Sequence, residues 1–84
     1  MLKLVFPGKL GDVAPAGLAD VEPPHEVRTL SDLVKWLSSE EPVLGRAIAA
    51  TTTRLIVNQS VTHDHSYALT DGDEIAFLPP MSGG

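Results

Sequence analysis

The sequence predicts an α+β domain in which one mixed sheet carries one main helix packed across it. Three observations point there. The two most apolar short segments, Leu2 to Phe6 and Glu74 to Leu78, stand near opposite ends of the 84 residues. Between them runs a single strong amphipathic pattern, with Leu30, Leu33, Val34 and Leu37 at i, i+3, i+4 and i+7. Turn-forming clusters divide what remains into short pieces suited to strands.

The elements follow in order. Leu2, Leu4 and Phe6 alternate with Lys3 and Val5, a strand pattern that Pro7-Gly8 breaks. Lys9 to Ala14 predicts a short helical turn, ended by Pro15-Ala16-Gly17. Ala14 to Pro24, rich in Pro, Gly, Ala and acids, reads as a surface loop. Glu26-Val27-Arg28 reads as a second strand, the hairpin partner of the first. Thr29 is a good N-cap, and Asp32 at the third helical position approximates a capping box. Asp32, Lys35 and Ser39 face outward, and Trp36 sits at the edge of the stripe as a partly buried packing residue. Pro42 ends this helix near Glu40-Glu41 and opens a second, shorter one through Ala49.

Thr51-Thr52-Thr53 turns into a third strand, Leu55 to Asn58, and Asn58-Gln59 forms a tight turn leading to Val61. Thr70-Asp71-Gly72-Asp73 is a strong turn signal, with Gly72 free to take positive φ. In the strand that follows, Ile75 and Phe77 point one way, Ala76 and Leu78 the other. Being nearly uncharged, it belongs in the sheet interior, beside the equally apolar first strand. That arrangement is the β-grasp.

Composition narrows the function. A formal net charge of −5, with basic residues scattered singly, disfavours nucleic acid and anionic membranes as partners. It suits a basic protein surface instead. No run approaches the ~20 apolar residues needed to cross a bilayer. Met1 to Phe6 is too short for a signal peptide and reads as a strand. The chain has no cysteine, which fits the cytoplasm and excludes a side-chain thiol as a carrier of sulfur or acyl groups.

Catalytic constellations are missing. Gly8 and Gly11 around Lys9-Leu10 are too few glycines for a phosphate loop, and no serine lies in a nucleophile elbow. His63-Asp64-His65 is the one candidate metal or acid-base cluster; with no third ligand in evidence it reads as a solvated loop, and no metal is expected. His25, beside Pro23-Pro24, reads as a loop residue. The carboxylates of Asp71-Gly72-Asp73-Glu74 are accounted for by turn chemistry.

The reactive group that remains is the end of the chain. Leu78 runs into Pro79-Pro80, which lack a backbone donor and stop the sheet; Met81, Ser82, Gly83 and Gly84 follow. Four residues beyond the prolines reach ~13 Å when extended. Such an end reads either as a frayed terminus or as a flexible Gly-Gly tail slender enough to thread a narrow channel. This divides the chain into a domain over 1–80 and a tail over 81–84.

Val57-Asn58-Gln59, the run from Leu69 through Thr70-Asp71-Gly72-Asp73-Glu74 to Leu78-Pro79-Pro80, and the final Gly83-Gly84 closely resemble the small subunit of molybdopterin synthase. The helix opening Thr29-Leu30-Ser31-Asp32-Leu33 fits as well. The family often has two aromatics where this chain has Phe77-Leu78. The resemblance implies a ubiquitin-like β-grasp sulfur carrier, not catalytic on its own. In that family the terminal glycine, here Gly84, is adenylated by an ATP-dependent, E1-like activating enzyme and then converted to a thiocarboxylate with sulfur from a donor protein. Met81, Ser82 and Gly83 would insert with it into the large subunit, whose active site passes the sulfur to cyclic pyranopterin monophosphate in molybdenum cofactor biosynthesis. Leu78, Pro79 and Pro80 would supply apolar partner contacts in a heterotetramer of two small and two large subunits. No cofactor would be bound permanently, ATP being used by the activating enzyme. The alternatives are a carrier for thiazole synthesis or tRNA thiolation, and a ubiquitin-like protein modifier.

Overall fold

The computed structural model describes residues 1–8, 10–13, 20–49 and 53–78. In chain order the elements are β1 (Leu2–Val5), α1 (Leu10–Val13), β2 (Asp20–Val21), α2 (Leu30–Glu40), α3 (Pro42–Ala49), β3 (Arg54–Val57), β4 (Ser60–Thr62) and β5 (Glu74–Leu78). The strands form one sheet in the order β2-β1-β5-β3-β4. β5 lies at its centre, parallel to β1 and antiparallel to β3. The expected β-grasp is the fold observed, and the two apolar strands are neighbours.

Period-two alternation sets which face is buried. Leu2 and Leu4 of β1, Leu55 and Val57 of β3, and Ile75 and Phe77 of β5 point to the core. There they meet Leu30, Leu33 and Leu37 of α2 and Leu44 and Ile48 of α3. Phe77 is fully buried and stacks on Phe6, with ring centroids 5.2 Å apart. Trp36 packs partly buried at the rim of this core, as its position in the stripe predicts.

The N-terminus of α2 is closed by local chemistry. Thr29 Oγ1 accepts from the Asp32 N–H at 3.1 Å, and the Asp32 carboxylate accepts in return from the Thr29 N–H at 3.2 Å, a complete capping box. The Leu30 and Ser31 N–H groups donate to the carbonyls of Tyr67 and His65. The first turn is thus fully paired, and the 65–69 segment is pinned to the helix it crosses. At the other end Pro42 starts α3 one residue after α2 stops. The two helices approach closely at Gly45, which is buried against Ser38.

One expected strand is corrected. Glu26-Val27-Arg28 is not the partner of β1: His25 and Glu26 form a turn in which the Val27 N–H donates to the Pro24 carbonyl. The strand beside β1 is Asp20–Val21, inside the stretch read as a surface loop. Val21 pairs with Leu2 and is buried, whereas the Arg28 carbonyl is taken by the Leu69 N–H. Residues 14–19 of that loop lie outside the described residues. The Asn58-Gln59 turn forms as expected, with both residues at positive φ (49° and 72°). It joins β3 to β4, a strand that the sequence marked only as the stretch toward Val61.

Candidate functional site

The sheet gives the C-terminal segment a defined point of departure. β5 ends at Leu78, half-buried, directly opposite the exposed Arg54 at the start of β3. Because β1 runs parallel to β5, its C-terminal end at Val5 lies at the same margin of the sheet. Of the residues singled out for function, Leu78 is therefore placed at an exit edge. Pro79, Pro80, Met81, Ser82, Gly83 and Gly84 lie outside the described residues.

The face of the sheet turned away from the helices carries a feature that sequence reasoning missed. Val5 is opposite Ala76, Ala76 opposite Ile56, and Ile56 opposite Val61. Four strands thus contribute one apolar row, with Leu78 two residues beyond Ala76 on the same face. None of these side chains belongs to the buried core; Val61 is 54% exposed. The next row, away from the exit, is polar: Asp20, Lys3 and Glu74 are neighbours across β2, β1 and β5. Strand alternation contained the signal for each member, but the row exists only once the register is known.

At the opposite end of β5 a buried carboxylate anchors the strand. Asp73 accepts hydrogen bonds from Asn58 Nδ2, the Thr70 N–H and the Tyr67 hydroxyl, each at 2.9 Å. Burial pushes its pKa up, but the bonds from Asn58, Thr70 and Tyr67 outweigh that and hold it below the usual carboxylate value. The same contact, with burial and the neighbouring charge, raises the Tyr67 hydroxyl. Asn58 Oδ1 in turn accepts from the Glu74 N–H at 2.9 Å. Every participant is occupied, so this network is structural: it fastens the β3–β4 turn to the beginning of β5.

The histidines gather nothing. His25, His63 and His65 are exposed, and among the described residues no group of three metal-binding side chains forms. Asp64 is engaged by its own loop, accepting from the Ser66 N–H and hydroxyl; these bonds lower its pKa. The loop reading of this stretch stands. Among the described residues no helix is long and apolar enough to cross a membrane.

These features define a class: a small ubiquitin-like β-grasp domain whose central strand leads directly into its C-terminal segment. Its backbone superposes on SAMP1 of Haloferax volcanii with a TM-score of 0.74 at 24% identity, covering 99% of this chain and 98% of that one. The small archaeal modifier protein 1 of Methanosarcina acetivorans gives 0.76 at 21%, covering 99% and 95%. A candidate molybdopterin converting factor subunit 1 of Pyrococcus furiosus gives 0.74 at 17%, covering 95% and 97%. No curated protein sequence matches the chain. The ThiS family model matches residues 4–84, and the chain belongs to that family of ubiquitin-like sulfur carriers.

Proposed function

We propose that this protein is the sulfur-carrier subunit of a molybdopterin synthase, with Gly84 as the residue that carries sulfur. The observation that supports it most directly is the extent of the family match, which runs through residue 84 and so takes in the whole segment after β5. In the proposed cycle the Gly84 carboxylate attacks the α-phosphate of ATP in an activating enzyme, releasing pyrophosphate. A persulfide on a donor protein then attacks the acyl carbon, expelling AMP and leaving an acyl disulfide. A second thiol of the donor attacks the sulfur on the donor side, so the S–S bond breaks, the Gly84 thiocarboxylate leaves and the donor is left with a disulfide. The carrier brings no catalytic side chain to either step. Its contribution is presentation: Pro79 and Pro80 restrict the segment beyond Leu78, lowering the entropy lost when Met81, Ser82, Gly83 and Gly84 enter a partner's active site. Leu78 and the apolar row Val5, Ala76 and Ile56 would form the docking surface for the large subunit and the activating enzyme, with sulfur passing there to cyclic pyranopterin monophosphate.

A second reading is supported by the structural likeness to two archaeal modifier proteins. Under it the adenylated Gly84 is transferred to a lysine of another protein as an isopeptide.

The test is intact mass spectrometry after incubation with ATP, a cognate activating enzyme and a sulfur source. A gain equal to replacing one oxygen by sulfur, lost on deletion of Gly83-Gly84 while the melting temperature is unchanged, supports the carrier. Pterin conversion with a large subunit then identifies the pathway. Covalent adducts on other proteins with no such gain support the modifier; neither product refutes both.

A further inference from the structure

Among the described residues the sheet has two free edges, β2 and β4, and they are chemically unlike. At β2 the buried Val21 is flanked by the carboxylates of Asp20 and Glu22. Charges of this kind discourage strand pairing between molecules. Along β4, by contrast, no residue from Asn58 to His63 bears a formal charge, in a chain of 11 acids and 6 bases.

The register of β4 decides what that edge offers. Val57 and Ser60 close the two-residue turn, so they form a hydrogen-bonded pair and Ile56↔Val61 is the non-hydrogen-bonded pair that follows. The N–H and C=O of Val61 therefore point away from β3, toward the open edge. Its side chain, 54% exposed, ends the apolar row of the outer face.

We propose that β4 is a self-association edge, pairing antiparallel with β4 of a second copy about a two-fold axis through Val61. Each Val61 N–H then donates to the Val61 carbonyl of the other molecule, and Ser60 faces Thr62. Beyond this three-residue pairing, the Asn58-Gln59 turn of one copy lies toward His63-Asp64 of the other. No two like charges meet, and Asp64 remains bonded to Ser66. The same operation at β2, centred on Val21, would set Asp20 against Glu22 twice, a like-charge arrangement that destabilises strand pairs. Pairing β2 with β4 is head-to-tail and leaves a free edge at each end of a pair, so it does not close as a dimer. Only β4 with β4 is both closed and free of repulsion. It also joins the two apolar rows end to end across the axis. The interface is small, so the dimer forms reversibly at high protein concentration. It leaves Leu78 uncovered, two strands away, so it is independent of whether Gly84 accepts sulfur.

The test is sedimentation equilibrium with an amide NMR dilution series on the full chain, reaching about 1 mM. The expected result is a monomer–dimer equilibrium with concentration-dependent shifts centred on Ser60, Val61 and Thr62. Val61→Lys weakens association by about tenfold or more. Val61→Pro keeps an apolar side chain but removes the outward N–H, and it abolishes the dimer. Val43→Lys, at an exposed position of α3, changes nothing. Circular dichroism confirms that each variant is folded; if Val61→Pro is not, Val61→Lys and the shift pattern decide. A monomer throughout, or a dimer that survives Val61→Lys, overturns the proposal. A dimer weakened by Val61→Lys but intact in a folded Val61→Pro overturns it too, because face-to-face packing of the apolar rows would then be responsible.

Discussion

Gly45 tests the helix pair that covers the sheet. A Cβ added there would lie 2.3 Å from Ser38 Cα, 2.6 Å from its Oγ and 2.7 Å from its Cβ. Carbon atoms pack comfortably at about 3.5–4.0 Å, so Gly45→Ala requires α2 and α3 to move apart by roughly 1.2–1.7 Å. Rotating the serine hydroxyl does not help, since the nearest atom is backbone. Two effects then oppose each other. Alanine is preferred over glycine inside a helix by about 1 kcal/mol. Overpacking a tight contact costs about 1–3 kcal/mol, and separating the helices also loosens Leu37, Leu44 and Ile48, which are buried beneath it. A first contact at 2.3 Å puts the clash at the upper end of that range, about 3 kcal/mol, so the expected net loss is about 2 kcal/mol. At about 4–8 °C per kcal/mol for a domain of this size, the melting temperature falls by about 8–16 °C. Urea unfolding followed through Trp36 on α2, together with thermal circular dichroism, measures it. Adding Ser38→Gly removes two of the three contacts but leaves the Cα, so the double variant recovers only part of the loss. A Gly45→Ala variant as stable as the parent would show that the helices are not held this close and that helix propensity decides.

Asp73→Asn leaves one acceptor oxygen for three donors, so at least one bond is lost and stability falls by about 1–3 kcal/mol in chemical denaturation. The folded-state pKa of Asp73 lies below its unfolded value, so its contribution is present above about pH 4 and disappears as pH falls through the folded-state value. The parent should therefore lose stability on acidification more steeply than Asp73→Asn, and parallel curves in a pH series of melting temperatures would refute this. Gln59 sits at φ 72°, where a Cβ is strained, and Gln59→Gly is expected to stabilise by roughly 0.5–1 kcal/mol after allowing for the freer unfolded chain. An unfolding midpoint that stays or drops in Gln59→Gly would mean the turn is not strained.

The elements with local causes were legible in the sequence. Thr29 and Asp32 cap α2, Pro42 separates it from α3, Asn58-Gln59 and Gly72 make turns, and the stripe Leu30, Leu33, Leu37 is buried as its spacing requires. The neighbouring positions of β1 and β5 followed from their shared hydrophobicity. What failed depended on distant partners. Val27 and Val21 are both single valines among polar residues, and only the register against Leu2 shows that Val21 is the one to pair. Asp73 read as an ordinary turn residue because its donors, Asn58 and Tyr67, come from other turns. For the candidate site, Leu78 was singled out from its place before two prolines. The apolar row beside it was not, because Val5, Ile56, Val61 and Ala76 come from four strands whose registers no local pattern fixes.

The central position of β5 has a consequence for how the protein is made. Both halves of the sheet, β2-β1 and β3-β4, border on it or on a strand that does, yet among the described residues it is the last strand in chain order. During synthesis β1 and β3 emerge without the strand that lies between them, and the β1–β5 contact must close across about seventy intervening residues, the kind of distant pairing that slows folding. A ribosome that stalls before residue 74 leaves the β2-β1 and β3-β4 pairs without the strand between them, and Leu4 and Leu55 without Ile75 and Phe77 at their sides, which favours proteolysis. Completion of the sheet and the emergence of residues 79–84 from the ribosome thus fall at the same late stage.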